Sequence, residues 1–359
     1  MGGVVMNDHL SLFRGKKVIV TGDTGFKGSW LSLWLTMCGA EVLGYSLPPA
    51  RDNDHYNLVG LSKIIRHIDG DVRDHGLMKK IFSDFDPEFI FHLAAQALVR
   101  YSYNEPKYTF DTNVGGFINV LEVARSLPEL RSIICVTSDK CYLNKEWMWG
   151  YRESDELGGR DPYSASKAAA EMVFQGYMHA FFKEKEKVGI ASVRAGNVIG
   201  GGDWSEDRIV PDSIKALQRS EPIYLRNPSS TRPWQHVMEP LAGYMMLAAK
   251  LYNSPKDYSG SWNFGPGKNA VNTVHDLAEK IISYWGGGEI NIAGNEGGPH
   301  EARLLHLNCD KAFYVLGWQP NWDFDRTVKE TTLWYKDVWQ GKPALEKTRG
   351  QILSYMGGE

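Results

Sequence analysis

The 359-residue chain is poor in cysteine. Its four cysteines, Cys38, Cys135, Cys141 and Cys309, form no CxxC pair and no regular spacing, which argues against a disulfide framework or structural zinc and fits a reducing compartment. It has no uninterrupted apolar stretch near the ~20 residues that a membrane span requires. Residues 1–13 lack the basic-then-apolar build of a signal peptide, so the expected location is the cytoplasm and no membrane partner is expected. It also lacks a basic excess: 40 Lys+Arg stand against 43 Asp+Glu, a net charge of -3, which leaves no footprint for nucleic acid. None of its ten histidines has metal-ligand spacing, and no metal is expected. What remains is an ordinary globular composition, 43% hydrophobic and 23% charged, in a chain long enough for one large or two modest domains.

Strand and helix patterns alternate through the first half. Residues 17–20, 41–45, 64–68, 89–93, 132–138 and 189–194 read as strands, most of them continuously apolar. Residues 27–38, 77–85, 115–126 and 164–183 read as helices. This rhythm predicts an α/β fold with a parallel sheet covered on both faces. After about residue 195 glycine and proline become frequent and single arginines stand beside aromatics. The expected division is therefore 1–195 for the sheet domain, with chain returns near 230–265, and 196–359 for a smaller, mainly helical lobe.

The first strand runs into Gly22-Asp-Thr-Gly25-Phe-Lys-Gly28, and the helix follows directly. Glycines at this junction allow a tight turn, close backbone approach to a pyrophosphate and close helix–strand packing. The helix N-terminus offers free N–H groups to phosphate. The loop, including Thr24, Phe26 and Lys27, thus reads as a dinucleotide cradle. The ribose-reading position, about 20 residues further on, falls near Ser46-Leu47 and carries no acid; Arg51 downstream is a candidate for a 2′-phosphate, so NAD and NADP both stay open. Asp71 and Val72, after the third strand, read equally as adenine contacts or as a turn with a packed valine. His92, inside an apolar strand, reads as a packed core histidine.

Tyr163 and Lys167 lie four residues apart on one face of a helix that opens after Asp161-Pro162. The ammonium is expected to lower the phenol below its free pKa of about 10, making it a base for a hydroxyl proton. The strand before it ends in Thr137-Ser138-Asp139-Lys140, polar groups at the carboxyl end of a parallel strand, where open α/β sheets bind ligands. Ser138 can hydrogen-bond a sugar oxygen, and Asp139-Lys140 form an acid/base pair that simple dehydrogenation does not need.

The glycine motif, His92-Leu-Ala-Ala-Gln96, Asn113, Ser138, Tyr163 and Lys167 together resemble the extended short-chain dehydrogenase/reductase superfamily over nearly the whole chain. Thr137-Ser-Asp-Lys140 looks like the dehydratase version of the motif, with Lys140 where nucleotide-sugar 4,6-dehydratases usually carry Glu. With Trp147-Met-Trp149-Gly-Tyr-Arg-Glu and Arg194-Ala-Gly-Asn-Val-Ile-Gly-Gly-Gly-Asp-Trp204, that lysine is similar to CDP-glucose 4,6-dehydratases. The resemblance implies a Rossmann-type doubly wound sheet, NAD held also by Leu93, Ala94 and Ala95, and a nucleotide-hexose, CDP-glucose, held by Gln96, Ser138, Asn197, Arg208, Arg232 and Arg303. It implies C4 oxidation assisted by Tyr163, Lys167 and Ser138, proton removal at C5 by Lys140, protonation of the departing 6-hydroxyl by Asp139, and hydride return to C6. A free lysine, with a pKa of about 10.4, is a poor base, so this role requires burial or a nearby positive charge; a charged Lys140 would instead stabilise an enolate.

Two other readings stay open. A 4-epimerase shares the cradle and the Tyr163/Lys167 pair, and a cofactor-sensing regulator shares only the cradle. By resemblance, residues 115–126 and 164–183 pair into a homodimer, or part of a homotetramer, and the pathway is deoxysugar synthesis for a lipopolysaccharide O-antigen.

Overall fold

The computed structural model describes residues 9–183, 185–267, 271–292 and 305–357. Seven strands form the central sheet: β1 (Lys17–Thr21), β2 (Glu41–Ser46), β3 (Arg66–Asp69), β4 (Phe89–His92), β5 (Ser132–Val136), β6 (Gly189–Arg194) and β7 (Gly260–Asn263). All neighbours pair in parallel, in the order β7-β6-β5-β4-β1-β2-β3. Val18, Ile19 and Val20, like Phe89, Ile90 and Phe91, are wholly buried, which is why these strands read as unbroken apolar runs. The chain builds outward from β1 to β3 and then starts again at β4 on the other side. The loops leaving β1 and β4 diverge at that reversal and open a crevice at the carboxyl ends of the strands. The doubly wound sheet expected from the sequence is the fold observed.

Helices α1 (Phe26–Met37), α2 (His75–Phe85), α3 (Phe117–Ala124) and α4 (Pro162–Tyr177) make the crossovers. α4 begins two residues before the expected 164, because the Asp161 carboxylate caps it by accepting from Ser164 N at 2.9 Å and Pro162 occupies the first turn. It ends early too, loosening into a π-type turn at Met178–Phe182. The third strand is shifted to Arg66–Asp69, since Leu61–Lys63 coils first and Ile65 packs into the core ahead of it.

Beyond residue 195 the chain repeatedly returns to the sheet. α5 (Met238–Asn253) packs on β5 and β6, and β7 extends the sheet at the β6 edge, where the sequence suggested a return. α6 (Phe324–Trp339) and α7 (Ala344–Tyr355) come back towards α1, with Trp34 and Tyr355 edge to face at 5.6 Å. One apolar cluster runs from Leu10 and Trp30 through Leu241 and Met245 to Trp334 and Tyr355, so the compositional break near residue 195 is not a break in the core. A second cluster, including Phe82, Val120 and Phe174, covers the other face. All four cysteines are free thiols, and among the described residues no helix is long and apolar enough to cross a membrane.

Candidate active site

β1 delivers the glycine loop to the crevice. Gly22 has φ +77°, and a Cβ there would sit 2.7 Å from Ala94 N; one on Gly28 would sit 2.0 Å from Gly22 O. These two glycines let the loop fold onto itself and onto the chain leaving β4. Gly25 differs: it is exposed, and a Cβ there would meet only Gly22 O, at 3.3 Å. Its missing side chain leaves room at the N-terminus of α1, which has no side-chain cap and no acid in its first turn. An uncapped helix end behind an open glycine suits a diphosphate, so the residues present fit a dinucleotide. Thr21 joins the two walls, its carbonyl accepting from Leu93 N at 3.1 Å and its hydroxyl from Ala94 N at 3.2 Å; Ala95 follows in the same wall. Thr24 Oγ1 meets Ser46 Oγ at 2.9 Å, and the Phe26 ring abuts Gly200. Val72 is packed in the core against Gly116, and the Asp71 carboxylate grips Arg73, whose guanidinium holds it below the usual carboxylate range. The turn and the packed valine expected for this pair are both present. His92 is buried, hydrogen-bonded to the Thr21 hydroxyl at 2.7 Å, and pushed down to about 3 by burial, as a core histidine should be.

The residues expected to be catalytic gather at the end of β5. Ser138 is extended; its hydroxyl donates to Asp139 Oδ1 at 3.0 Å, accepts from Lys140 N at 3.2 Å, and bonds the Tyr163 phenol. Asp139 is buried against Gly196, where a Cβ would come within 1.9 Å of its carboxylate. α4 is pinned by Asn113, which accepts from Gln96 N at 2.8 Å and donates to Gln96 O at 3.0 Å and Ser166 Oγ at 2.9 Å. Two expectations need correction. The Tyr163 phenol is not lowered: burial pushes it up to about 12, opposed by its hydrogen bond with Ser138, while Lys167, also buried, is itself pushed down to about 8. Desolvation outweighs the opposing pull of Ser138 and of the Arg208 charge because the phenol lies in the interior. Lys140, in contrast, is exposed, so the burial its role as a base would draw on is absent from the chain alone.

The predicted substrate contacts divide. Arg208 pairs with Asp203 at 2.8 Å and lies electrostatically close to Tyr163. Lys27 faces the same region; burial lowers it to about 8, with Arg208 and Lys167 pushing the same way and Asp139 opposing. Asn197 follows β6 with φ +52°, its carbonyl accepting from Gln235 N at 3.1 Å. Arg232 stands in a two-stranded ribbon, Thr231–Pro233 against Val271–Thr273, and its charge contributes to lowering His306. Gln96 makes bonds of its own: its amide donates to Leu98 O at 3.1 Å and Thr109 Oγ1 at 2.9 Å and accepts from Leu98 N at 2.5 Å, so it shapes the turn in which it stands. Arg303 lies outside the described residues.

The sequence pattern of the GDP-mannose 4,6 dehydratase family matches residues 19–331. The chain belongs to that family. It is 43% identical over 350 residues to a CDP-glucose 4,6-dehydratase of Salmonella typhimurium, a match covering 96% of this chain and 98% of that one. In fold it is similar to the epimerase Mth375 of Methanothermobacter thermautotrophicus, with TM-score 0.81, 22% identity and coverage of 95% and 98%. It is likewise similar to the dTDP-glucose 4,6-dehydratase of Bacillus anthracis solved in complex with NAD, with TM-score 0.76, 20% identity and coverage of 92% and 100%.

Two parts of this dehydratase-family site escaped sequence reasoning. Glu171 and Arg194, both with fully buried side chains, form a bidentate pair at 2.9 and 2.7 Å. Thr137 Oγ1 at 2.5 Å and Ser192 Oγ at 2.9 Å also donate to Glu171, while Arg194 reaches Tyr142 OH at 2.6 Å. The pair ties α4 to β5, β6 and the turn bearing Asp139. One signal was there to be read: 163, 167 and 171 lie on one helical stripe. The second part, Asp23 with His67, had none, because it joins a loop to a strand 44 residues away.

Proposed function

We propose that this protein is an NAD-dependent CDP-glucose 4,6-dehydratase, a lyase converting CDP-D-glucose to CDP-4-keto-6-deoxy-D-glucose and water. The observation that carries this reading is that Tyr163 is bonded to Ser138 and Ser138 to Asp139, while Lys27 of the glycine loop lies within electrostatic reach of Asp139 and Lys167. It is supported by likeness to a CDP-glucose 4,6-dehydratase over 96% of the chain.

NAD, when bound, would supply a hydride acceptor for C4, the hydride for C6 and a positive charge. Burial holds the Tyr163 phenol up at about 12, so its work as a base depends on added positive charge. Tyr163 Oη then takes the proton of the sugar 4-hydroxyl, and Ser138 Oγ holds that oxygen as it becomes a ketone. The ketone acidifies the C5 hydrogen, whose proton goes to Lys140 Nζ. Asp139 in its protonated form gives a proton to the 6-hydroxyl, which leaves as water, and Lys140 returns its proton to C5 as C6 is reduced. Arg208, Arg232 and Asn197 hold the diphosphate, the arginines through their bidentate fork. The finer setting we propose is the cytoplasm, a homodimer or homotetramer built on α3 and α4, where Met172 is 61% exposed, and deoxysugar supply for a surface polysaccharide such as O-antigen.

Purified protein is incubated in parallel with CDP-, dTDP-, UDP- and GDP-glucose, and the product is read by the ultraviolet absorbance of a 4-keto sugar in alkali. Turnover confined to CDP-glucose is expected. A product that keeps its 6-hydroxyl and shows no such absorbance would make the protein an epimerase.

A further inference from the structure

The end of β2, where an acid would read the ribose, carries Ser46 instead. A buried carboxylate stands behind it. Asp23, second in the glycine loop, is wholly buried, and its Oδ1 accepts from Ser46 Oγ at 2.9 Å. Its Oδ2 meets His67 Nδ1 at 2.7 Å, and His67 Nε2 continues to Asp69 Oδ1 at 3.1 Å. The space is made by Gly44, the residue beside His67 in the sheet: a Cβ there would sit 2.1 Å from Asp23 Oδ2. Thr24 Oγ1 donates to Leu47 O at 2.9 Å, so the rim of this pocket is built from the loop and the strand together.

We propose that Asp23, acting through Ser46 and held by His67, is the specificity-determining acid of the dinucleotide site, selecting a 2′-hydroxyl over a 2′-phosphate. The one hydrogen of Ser46 Oγ points at Asp23 Oδ1 at 2.9 Å with Leu47 O at 3.1 Å beside it, and the oxygen accepts only a long bond from Thr24 N at 3.4 Å, so towards a ribose it acts as an acceptor, which a ribose hydroxyl can satisfy and an ionised phosphate cannot. The carboxylate behind it adds a fixed negative charge; one such charge a single side chain away is worth on the order of a hundredfold in affinity at an effective dielectric of about 20. Arg51, the cation available for a 2′-phosphate, is instead shared between Asp54 at 3.9 Å and Glu206 at 3.6 Å. His67 is faced by Asp23 from the loop, by Asp69 on its own strand and by the Tyr56 ring at 5.4 Å. These carboxylates raise it above its ordinary value despite burial, so acidification puts a compensating charge against Asp23.

This rests on the dinucleotide reading above and is tested without turnover, by calorimetric titration of the nucleotide-stripped protein with NAD and NADP. Wild type is expected to prefer NAD by about a hundredfold, and Asp23→Asn, which keeps the shape, to narrow that ratio at least tenfold. The ratio should also fall between pH 8.5 and 6 more steeply in wild type than in His67→Gln; protonation of the 2′-phosphate itself affects both equally. An Asp23→Asn ratio within twofold of wild type overturns the proposal. So do coincident pH curves for wild type and His67→Gln, which decide the matter if Asp23→Asn does not fold. Failure of wild type to bind either dinucleotide would instead overturn the cofactor reading.

Discussion

Replacing Glu171 by Gln removes one charge from the centre of the site while keeping its shape. Arg194 would then be a cation with no exposed surface and no bonded counter-charge, since its other acceptors, Tyr142 OH at 2.6 Å and Glu153 O at 3.2 Å, are neutral and the Glu153 carboxylate acts on it only through space. Breaking one side of a buried pair costs ~3–5 kcal/mol, and the acceptors that remain place this case near the lower end. At ~2 °C per kcal/mol for a chain of this size, Tm should fall by ~6–8 °C. Urea and thermal unfolding of both proteins measure the loss directly. Converting both partners to Leu should cost less than the two single changes added together, because no orphaned charge remains. Turnover should drop as well, since the Glu171 charge holds Lys167 up against burial. A Glu171→Gln protein within ~1 kcal/mol of wild type, or strict additivity in the double variant, would refute the assignment of this pair as the clamp on α4.

Four further outcomes follow from the geometry. Tyr163→Phe should lower kcat by ~10²–10⁴-fold in the alkaline 4-keto assay while leaving Tm close to wild type. Lys140→Met should abolish exchange of the C5 hydrogen with deuterated solvent, followed by NMR; normal exchange would remove Lys140 from the mechanism. Gly28→Ala, whose Cβ would meet Gly22 O at 2.0 Å, should impair folding, whereas Gly25→Ala should fold and lose NAD affinity. Glu239, raised to about 7 by burial against the bonds from Tyr355, Asn321 and Trp322, favours its protonated form in the folded state. Its contribution is complete below the unfolded carboxylate value and lost as pH rises through about 7, so wild type should lose up to ~3 kcal/mol relative to Glu239→Gln between pH 4.5 and 8.

Much of this site was legible because its signals are local. The glycine spacing, the Asp161 cap and the Tyr163/Lys167 stripe each lie within a few residues, and the structure puts them where the pattern says. The bonds of Gln96 to Leu98 and Thr109 were not legible, because they depend on how the following turn closes. The surroundings of Lys140 and Tyr163 were not legible. Adjacent motifs look equally polar in sequence, yet one side chain is left at the surface and the other is desolvated.

By itself the sequence determined the strand-and-helix alternation, the direction of the sheet and the types of side chain at its carboxyl edge, because apolar periodicity and glycine placement act over short stretches of chain. Tertiary structure decided which charges face one another. Glu171 meets Arg194, and Asp23 meets His67 and Ser46, only after strands distant in sequence are laid side by side. Burial, which sets the protonation of Tyr163, Lys167 and Glu239, belongs to the packed whole, and no short segment encodes it.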